Sequence, residues 1–355
     1  MRRTDILIVG GGPAGSAAAI TLGRAGRAPE LIERSAGPRD VVCGGFLGWD
    51  ALAALKRLGV DPASLGARLI TRLRLVAGER SSEAQLPAAA AGLSRRRLDE
   101  ALLEAAVRAG ADVRRGRAVR AAEGRQVRLD DGEEVEAHAL ILATGKHELR
   151  GLARPLEGHR ELPAAGLRAA IPATPGLEGV IELHLFNEGY AGLLVQEDGM
   201  ANLCLSVSRR RLAKAGSPEA LVAELVREAP RLAARIGGIP GNWEAVAGVP
   251  YGWRARRTEE GLYRIGDQAA VIASLAGDGI AIALTSGITS AEALLAGAGA
   301  TDFQRRFATR ARRPVAVAEA LRHAAERPRR RAALLGLVGA LPGLLPIAAR
   351  LTRIG

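Results

Sequence analysis

Apolar positions follow two rhythms along this chain, and each change of rhythm marks a change of structure. Residues 5–9 form a short apolar run, 14–25 a small-residue stretch with helical spacing, and 30–32 a second run ending at Glu33. That order, with short connections, predicts a β-turn-α-β unit with buried strands. Farther on, residues 69–76, 167–171, 180–186, 192–196 and 202–207 alternate or run apolar in strand-length pieces. Glu197-Asp198-Gly199 supplies a hairpin turn between the last two. Residues 218–236 carry the spacing of one amphipathic helix, and 246–249 read as another strand. These pieces predict an antiparallel sheet covered by a helix. Residues 139–143 and 263–267 are apolar strands again, and Gly277-Asp278-Gly279 then precedes a helix over 280–295.

The first turn has chemistry in its spacing. Gly10-Gly11-Gly12-Pro13-Ala14-Gly15 satisfies G-x-G-x-x-G between a strand and a helix. Gly10 makes the tight turn, Gly12 lets a pyrophosphate approach the backbone, and Gly15 lets the helix pack close to the strand. The helix start offers unpaired N–H groups and a positive dipole end to phosphates. Glu33 is placed to accept hydrogen bonds from the ribose hydroxyls of an adenosine. Gly237-Gly238-Ile239-Pro240-Gly241 has the wrong spacing for a second such loop, so a nicotinamide partner has no Rossmann domain of its own. The pattern predicts an α/β fold. A Rossmann-like dinucleotide-binding domain takes residues 1–68, 93–165 and 256–300, and an inserted antiparallel-sheet substrate domain takes 69–92 and 166–255. A basic, apolar helical C-terminal region takes 301–355.

Composition narrows the function classes. With 355 residues, 48% of them apolar, the chain can bury a large core in two domains. Aromatic residues are only 3%, which argues against a nucleic-acid surface built on stacked bases. Cys43 and Cys204 are far apart and the five histidines are scattered, so neither a disulfide framework nor a metal site is expected. The net charge is +12, yet residues 301–355 hold 12 arginines against Asp302, Glu319 and Glu326. Most of the excess therefore sits at one end. Such an end suits an anionic membrane surface, a phosphorylated substrate or an acidic carrier protein, or is a solvated basic helix. Residues 332–349 carry no charge, but Gly336, Gly339, Pro342, Gly343 and Pro346 interrupt them. A peripheral or buried helical segment is expected there rather than a span. The apolar run at 6–9 is too short for an export signal. The expected location is cytoplasmic, with the basic end able to sit at the inner face of the membrane.

Five motifs in order resemble the FAD-binding fold of the glutathione-reductase-2 type, in the branch shared by aromatic-ring hydroxylases and geranylgeranyl reductases. The resemblance covers most of residues 4–300. Gly10-x-Gly12-Pro13-Ala14-Gly15, with Glu33 and the adjoining Arg34, is the first motif. Val42-Cys43-Gly44-Gly45 is similar to the cysteine–glycine motif of geranylgeranyl reductases, which implies that Cys43 and Gly44 lie at the flavin. In Ser94-Arg95-Arg96-Arg97-Leu98-Asp99 the resemblance sets Arg95 against FAD. Ala143-Thr144-Gly145, with Arg150 five residues on, looks like the family's second dinucleotide contact. Gly266-Asp267 and Gly277-Asp278-Gly279-Ile280 complete the set. Asp267 can accept bonds from ribityl or ribose hydroxyls. The backbone N–H groups of the last loop can reach the pyrimidine edge of the flavin, where a helix start favours negative charge. The departures lie elsewhere. Residues 268–274 lack the His and Pro common in hydroxylases, and residues 190–195 lack the aromatic-rich strand of prenyl reductases. The halogenase Trp-x-Trp-x-Ile-Pro signature is missing.

The resemblance implies an FAD-dependent oxidoreductase, with NAD(P)H as transient reductant and an apolar small molecule or lipid-like chain as substrate. Hydride transfer to or from a carbon–carbon double bond is the leading reaction. Hydroxylation of an aromatic or polyketide-like ring by a flavin monooxygenase is the alternative. A flavin-bound protein associated with a membrane or carrier, with little catalysis, is the third. Tyr190, Trp253 and His184 are candidate proton donors because the inserted domain contains them. Cys43 is a candidate for direct chemistry, set against the ordinary buried thiol.

Overall fold

In the computed structural model, which describes residues 1–156, 159 and 163–355, two sheets share the walls of one long cavity. The first sheet runs β6 (Asp112–Arg115), β2 (Glu30–Glu33), β1 (Arg2–Val9), β9 (Glu134–Leu142), β8 (Gln126–Leu129) and β7 (Val119–Glu123). β15 (Leu262–Arg264) joins the end of β9. The pairings β1–β2, β1–β9, β2–β6 and β9–β15 are all parallel. Ile6 and Ile8 face α1 (Pro13–Arg24) and α3 (Arg95–Arg108), while Leu7 and Val9 face Leu142, Leu149 and Leu152. Burial on both faces is why β1 reads as an unbroken apolar run.

The second sheet runs β14 (Glu244–Val249), β10 (Ala164–Pro172), β13 (Met200–Ser208), β12 (Gly189–Val195), β11 (Val180–Phe186), β4 (Arg68–Ala77), β5 (Arg80–Gly92) and β3 (Phe46–Leu47). Its pairings are antiparallel except β4 with β11, which is parallel. That one pair departs from the antiparallel pairing expected of this sheet. Hairpins fix direction only between strands consecutive in the chain, and β4 and β11 arrive on separate passes. β5 was masked in the sequence by its alanines and Pro87, and β3 extends this sheet into the 1–68 segment. The helix expected over 218–236 is two, α5 (Pro218–Glu228) and α6 (Pro230–Ile236), preceded by α4 (Arg209–Ala215). Ala229, lying before Pro230, is driven to φ −133°, ψ 80°, and the helix breaks. Leu221, Leu225 and Leu232 of this cover pack on Leu167, Leu193 and Leu203 of the sheet. The opposite face of the sheet looks into the cavity.

The remaining helices close the molecule: α2 (Trp49–Arg57), α7 (Gly279–Leu295), α8 (Ala300–Arg310), α9 (Arg312–Glu326), α10 (Pro328–Ala340) and α11 (Leu344–Leu351). α8 returns to the first sheet, with Phe303 between Tyr263 and Phe307. α10 and α11 bend by 117° about residues 341–343. No single helix among the described residues is long and apolar enough to cross a membrane. Leu335, Val338 and Leu345 instead pack with Leu75, Leu185 and Tyr190 against the second sheet.

Candidate functional site

The glycines of the first turn have separate jobs. Gly10 has φ +109°, and a Cβ there would lie 2.5 Å from the Ala143 carbonyl oxygen. At Gly15 a Cβ would lie 1.9 Å from the Gly10 carbonyl oxygen, so Gly15 packs chiefly on the turn itself. A Cβ at Gly12 would meet only Arg95 Nη2, at 3.3 Å, and the space beyond it is the cavity. α1 has no side-chain cap, Pro13 opens it, and its first internal bond runs from Ser16 N–H to Gly12 O. The N–H groups of Ala14 and Gly15 therefore point ahead of the helix, where a phosphate would sit. Glu33 accepts the Gly11 N–H at 2.7 Å and the Ser35 N–H at 2.8 Å. These bonds hold its carboxylate at the cavity wall with lone pairs to spare for hydroxyls. Arg34 lines the same wall and donates to His147 Nε2 at 2.7 Å. Burial and the Arg34 and Arg39 charges depress the His147 pKa, so the ring is neutral at pH 7.

The segment carrying Cys43 is tied to the second sheet. Asn202 Nδ2 donates to the carbonyls of Cys43 at 3.0 Å and Gly44 at 2.9 Å, and Asp40 pairs with Arg168 at 3.1 Å. Cys43, Gly44 and Cys204 all line the cavity. The Cys204 thiol is pushed up to about 12 by burial and by Cys43, so it stays a thiol. Arg95, at the start of α3, makes a two-pronged pair with Asp99 at 2.7 Å and also lines the cavity. Burial holds the Asp99 carboxyl above its ordinary range against the pull of Arg95.

Ala143, Thr144 and Gly145 follow β9 directly beside the Gly10 turn, with Gly266 and Asp267 after β15. Residues 266–268 form a short 3-10 turn rather than the strand end expected, because β15 stops at Arg264. Lys146 Nζ lies 3.4 Å from Asp267, and that carboxylate raises the lysine pKa. Arg150 is not at the site: it is exposed, and its backbone bridges to Ala121. The arginine that joins the two segments is Arg154. It is 5% exposed and donates to Gly145 O, Lys146 O and Asp267 O, with its guanidinium over the Trp253 ring. Its distance along the chain from the Ala-Thr-Gly turn concealed it from sequence reasoning.

Gly277 has φ +69°, and a Cβ there would strike the Phe46 ring at 2.8 Å. α7 begins at Gly279 without a side-chain cap, its first internal bond running from Ile282 N–H to Asp278 O. Gly277, Gly279 and Ile280 line the cavity, so this helix start faces it. Asp278, which the resemblance sets in the cofactor loop, turns its side chain away from the cavity. Its carboxylate is fully buried and turned to the chain's end, taking Arg353 Nη1 at 2.8 Å and the Ile354 N–H at 2.9 Å. Burial pushes this carboxyl up and Asp50 adds to the effect, while Arg353 opposes both. Arg353 also donates to Ala276 O at 2.6 Å and stacks over Trp49. The loop facing the cavity is thus fastened from behind by the last residues.

Beyond these loops the cavity, about 920 Å³ in all, turns apolar. Leu73 and Leu75 of β4, Leu183 and Leu185 of β11, and Val338 and Leu345 of α10 and α11 line it. Strand alternation puts His184 on the opposite face of β11, where its Nε2 lies 2.6 Å from buried Glu182, away from the cavity. Trp253 lies in the core and donates to Pro155 O. Neither can deliver a proton here. Tyr190 does line the cavity, with Tyr251 and Ser274, two residues that no local pattern marked. Ser274 Oγ lies 2.6 Å from Tyr190 OH and 2.9 Å from Tyr251 OH, and Ser206 Oγ lies 3.2 Å from Tyr251 OH. Burial, with Tyr251 beside it, pushes the Tyr190 phenol well above its usual pKa.

Two uncapped helix starts, a glycine turn with open space above it and a carboxylate at the end of β2 all open on one cavity. These residues fit FAD. The FAD binding domain family matches residues 3–151. The chain is 30% identical over 342 residues to menaquinone reductase of Mycolicibacterium smegmatis, covering 86% of this chain and 80% of the relative. It is 26% identical over 339 residues to digeranylgeranylglycerophospholipid reductase 2 of Methanopyrus kandleri, covering 86% and 81%. The structure of a geranylgeranyl bacteriochlorophyll reductase-like protein from Thermoplasma acidophilum superposes with TM-score 0.71 at 22% identity, covering 86% of this chain and 82% of that one. The chain therefore belongs to the family of FAD-dependent oxidoreductases that includes the geranylgeranyl reductases and aromatic-ring hydroxylases.

Proposed function

We propose that this oxidoreductase reduces a carbon–carbon double bond in an apolar, lipid-like substrate, with NAD(P)H as the electron source. The observation that carries the proposal is the continuity of one cavity from the dinucleotide loops to a leucine-lined chamber with phenols at its edge. Two relatives named as reductases, one of a menaquinone and one of a digeranylgeranylglycerophospholipid, support the same reaction type. FAD, when bound, supplies a carrier that takes two electrons from one partner and passes them to another as hydride. The chain supplies the rest. Its glycine turn and helix starts hold the phosphates and the flavin edge, and its leucines strip water from an apolar chain. Saturating a double bond also takes one proton for the second carbon. Tyr190 OH accepts the Leu275 N–H at 2.9 Å, so its own proton is free to go to Ser274 or into the cavity. Tyr251 and Ser206 continue the hydroxyl chain behind it and can replace that proton.

The reaction type is read from product mass. Protein incubated with NAD(P)H and a prenylated alkene should yield a product heavier by two hydrogens. Oxygen in the product would carry the hydroxylation alternative instead. Tyr190→Phe should keep FAD and lower kcat by roughly 10²–10⁴-fold, the usual worth of a positioned acid, with KM little changed. An unchanged kcat excludes Tyr190 as the proton donor.

A further inference from the structure

The bend between α10 and α11 does something unusual with apolar residues. Leu337, Leu341 and Ile347 are 52%, 55% and 51% exposed, although Leu335, Val338 and Leu345 on the same two helices are buried. Leu337 and Ile347 also line the cavity, so they stand where the leucine-lined chamber meets the outside. Around them Gly336, Gly339 and Gly343 have nothing within 4 Å of where a Cβ would be, which leaves a smooth rim. After Glu326 the chain has no acidic residue. Arg327, Arg329, Arg330 and Arg350 are exposed at the two ends of the pair, and none has an ion-pair partner among the described residues. An exposed apolar tip between unpaired arginines is the pattern of a segment lying in a bilayer interface, with apolar side chains in the acyl boundary and cations at the headgroups.

We propose that the α10–α11 bend docks on an anionic phospholipid bilayer and is the entrance through which an apolar substrate passes from membrane to chamber. The occupant follows from charge and geometry together. A protein partner with a matching apolar patch would also need a row of carboxylates, whereas an anionic leaflet supplies both layers at the right depth. The bend matters as well. A pair turned through 117° can press its tip into one leaflet without spanning it. The entrance deepens the reading of the chamber as a site for a lipid-like substrate and rests on it, but docking can be measured without turnover.

The test uses full-length holoprotein and vesicles of phosphatidylcholine alone or with phosphatidylglycerol. Flotation at low salt should recover the protein with the anionic vesicles and not with the neutral ones, and raised salt should release it. Leu341 touches neither cavity nor core, so Leu341→Glu should fold, keep FAD and lose at least tenfold in vesicle partitioning. Arg329→Glu with Arg330→Glu should lose as much. With substrate dissolved in vesicles, Leu341→Glu should raise KM at least tenfold, while a short alkene dispersed in water is turned over as by the wild type. Failure to float with anionic vesicles at low salt overturns the proposal, as does flotation indifferent to Leu341→Glu and to the arginine variant. A dimer that hides Leu341 in solution overturns it too. If the protein floats as expected but reduces no alkene, the docking stands and the proposed reaction falls.

Discussion

Gly12 and Gly15 share a turn, yet a side chain at each has a different consequence. Gly12→Val fits the polypeptide, since the first atom met is the end of the Arg95 side chain, but it fills the space proposed for a pyrophosphate. Gly15→Val drives a carbon into the Gly10 carbonyl and should cost about 3 kcal/mol or more by overpacking. The expected outcome is a Gly12→Val protein with the melting temperature of the flavin-free wild type and no yellow colour, and a Gly15→Val protein that melts far lower. Full flavin occupancy in Gly12→Val refutes the placement of the phosphates. These positions were readable in the sequence because their spacing is local. Tyr190, Tyr251, Ser274 and Arg154 were only partly so. The first three meet because a strand, a post-strand turn and a loop converge. Arg154 sits apart beside Trp253 and joins the turns after β9 and β15, and no window of sequence contains either arrangement.

Alternation along a strand explains both what β11 contributes and what it withholds. Odd positions 181, 183 and 185 face the cavity, and even positions 182 and 184 enter a buried ionic cluster. Glu182, 2% exposed, takes Arg74 at 2.6 Å, Arg235 at 2.9 Å and His184 at 2.6 Å. Burial alone would raise the Glu182 pKa, but these three partners hold it well below the carboxylate range. Because the folded pKa is depressed, the stabilisation is present above the unfolded value of about 4.3 and is lost as pH falls below it. Glu182→Gln strands buried positive charge and should cost about 3–5 kcal/mol at pH 7. Thermal unfolding between pH 6 and pH 3 checks this: wild-type stability should fall with acid more steeply than that of the variant, and parallel curves contradict it. The strand period was readable, and applied strictly it would have removed His184 from the donors once Leu183 and Leu185 were set on the inner face. What could not be read was β5, whose Ala-rich, Pro-containing stretch has no strand signal until β4 pairs with it.

Across the molecule, three parts far apart in the chain build one cavity. The first sheet brings the dinucleotide loops, the second brings the leucines and Tyr190, and α9–α11 close the far side. The basic end, ambiguous in the sequence, has two faces. The inner face packs under the second sheet and fastens the loop before α7 through Arg353, while the outer face carries exposed leucines and exposed arginines. Charge counting revealed the second face but could not reveal the first, since nothing local ties Arg353 to Asp278. The proposed reaction is tested at this scale: a reductase passes hydride to carbon and needs no oxygen, whereas a hydroxylase does. Protein carrying FAD, photoreduced and mixed under strictly anaerobic conditions with a polyprenyl alkene, should regain its oxidised flavin absorbance and release the saturated product. Absorbance that returns with product only after oxygen is admitted, with labelled oxygen found in that product, would contradict the account.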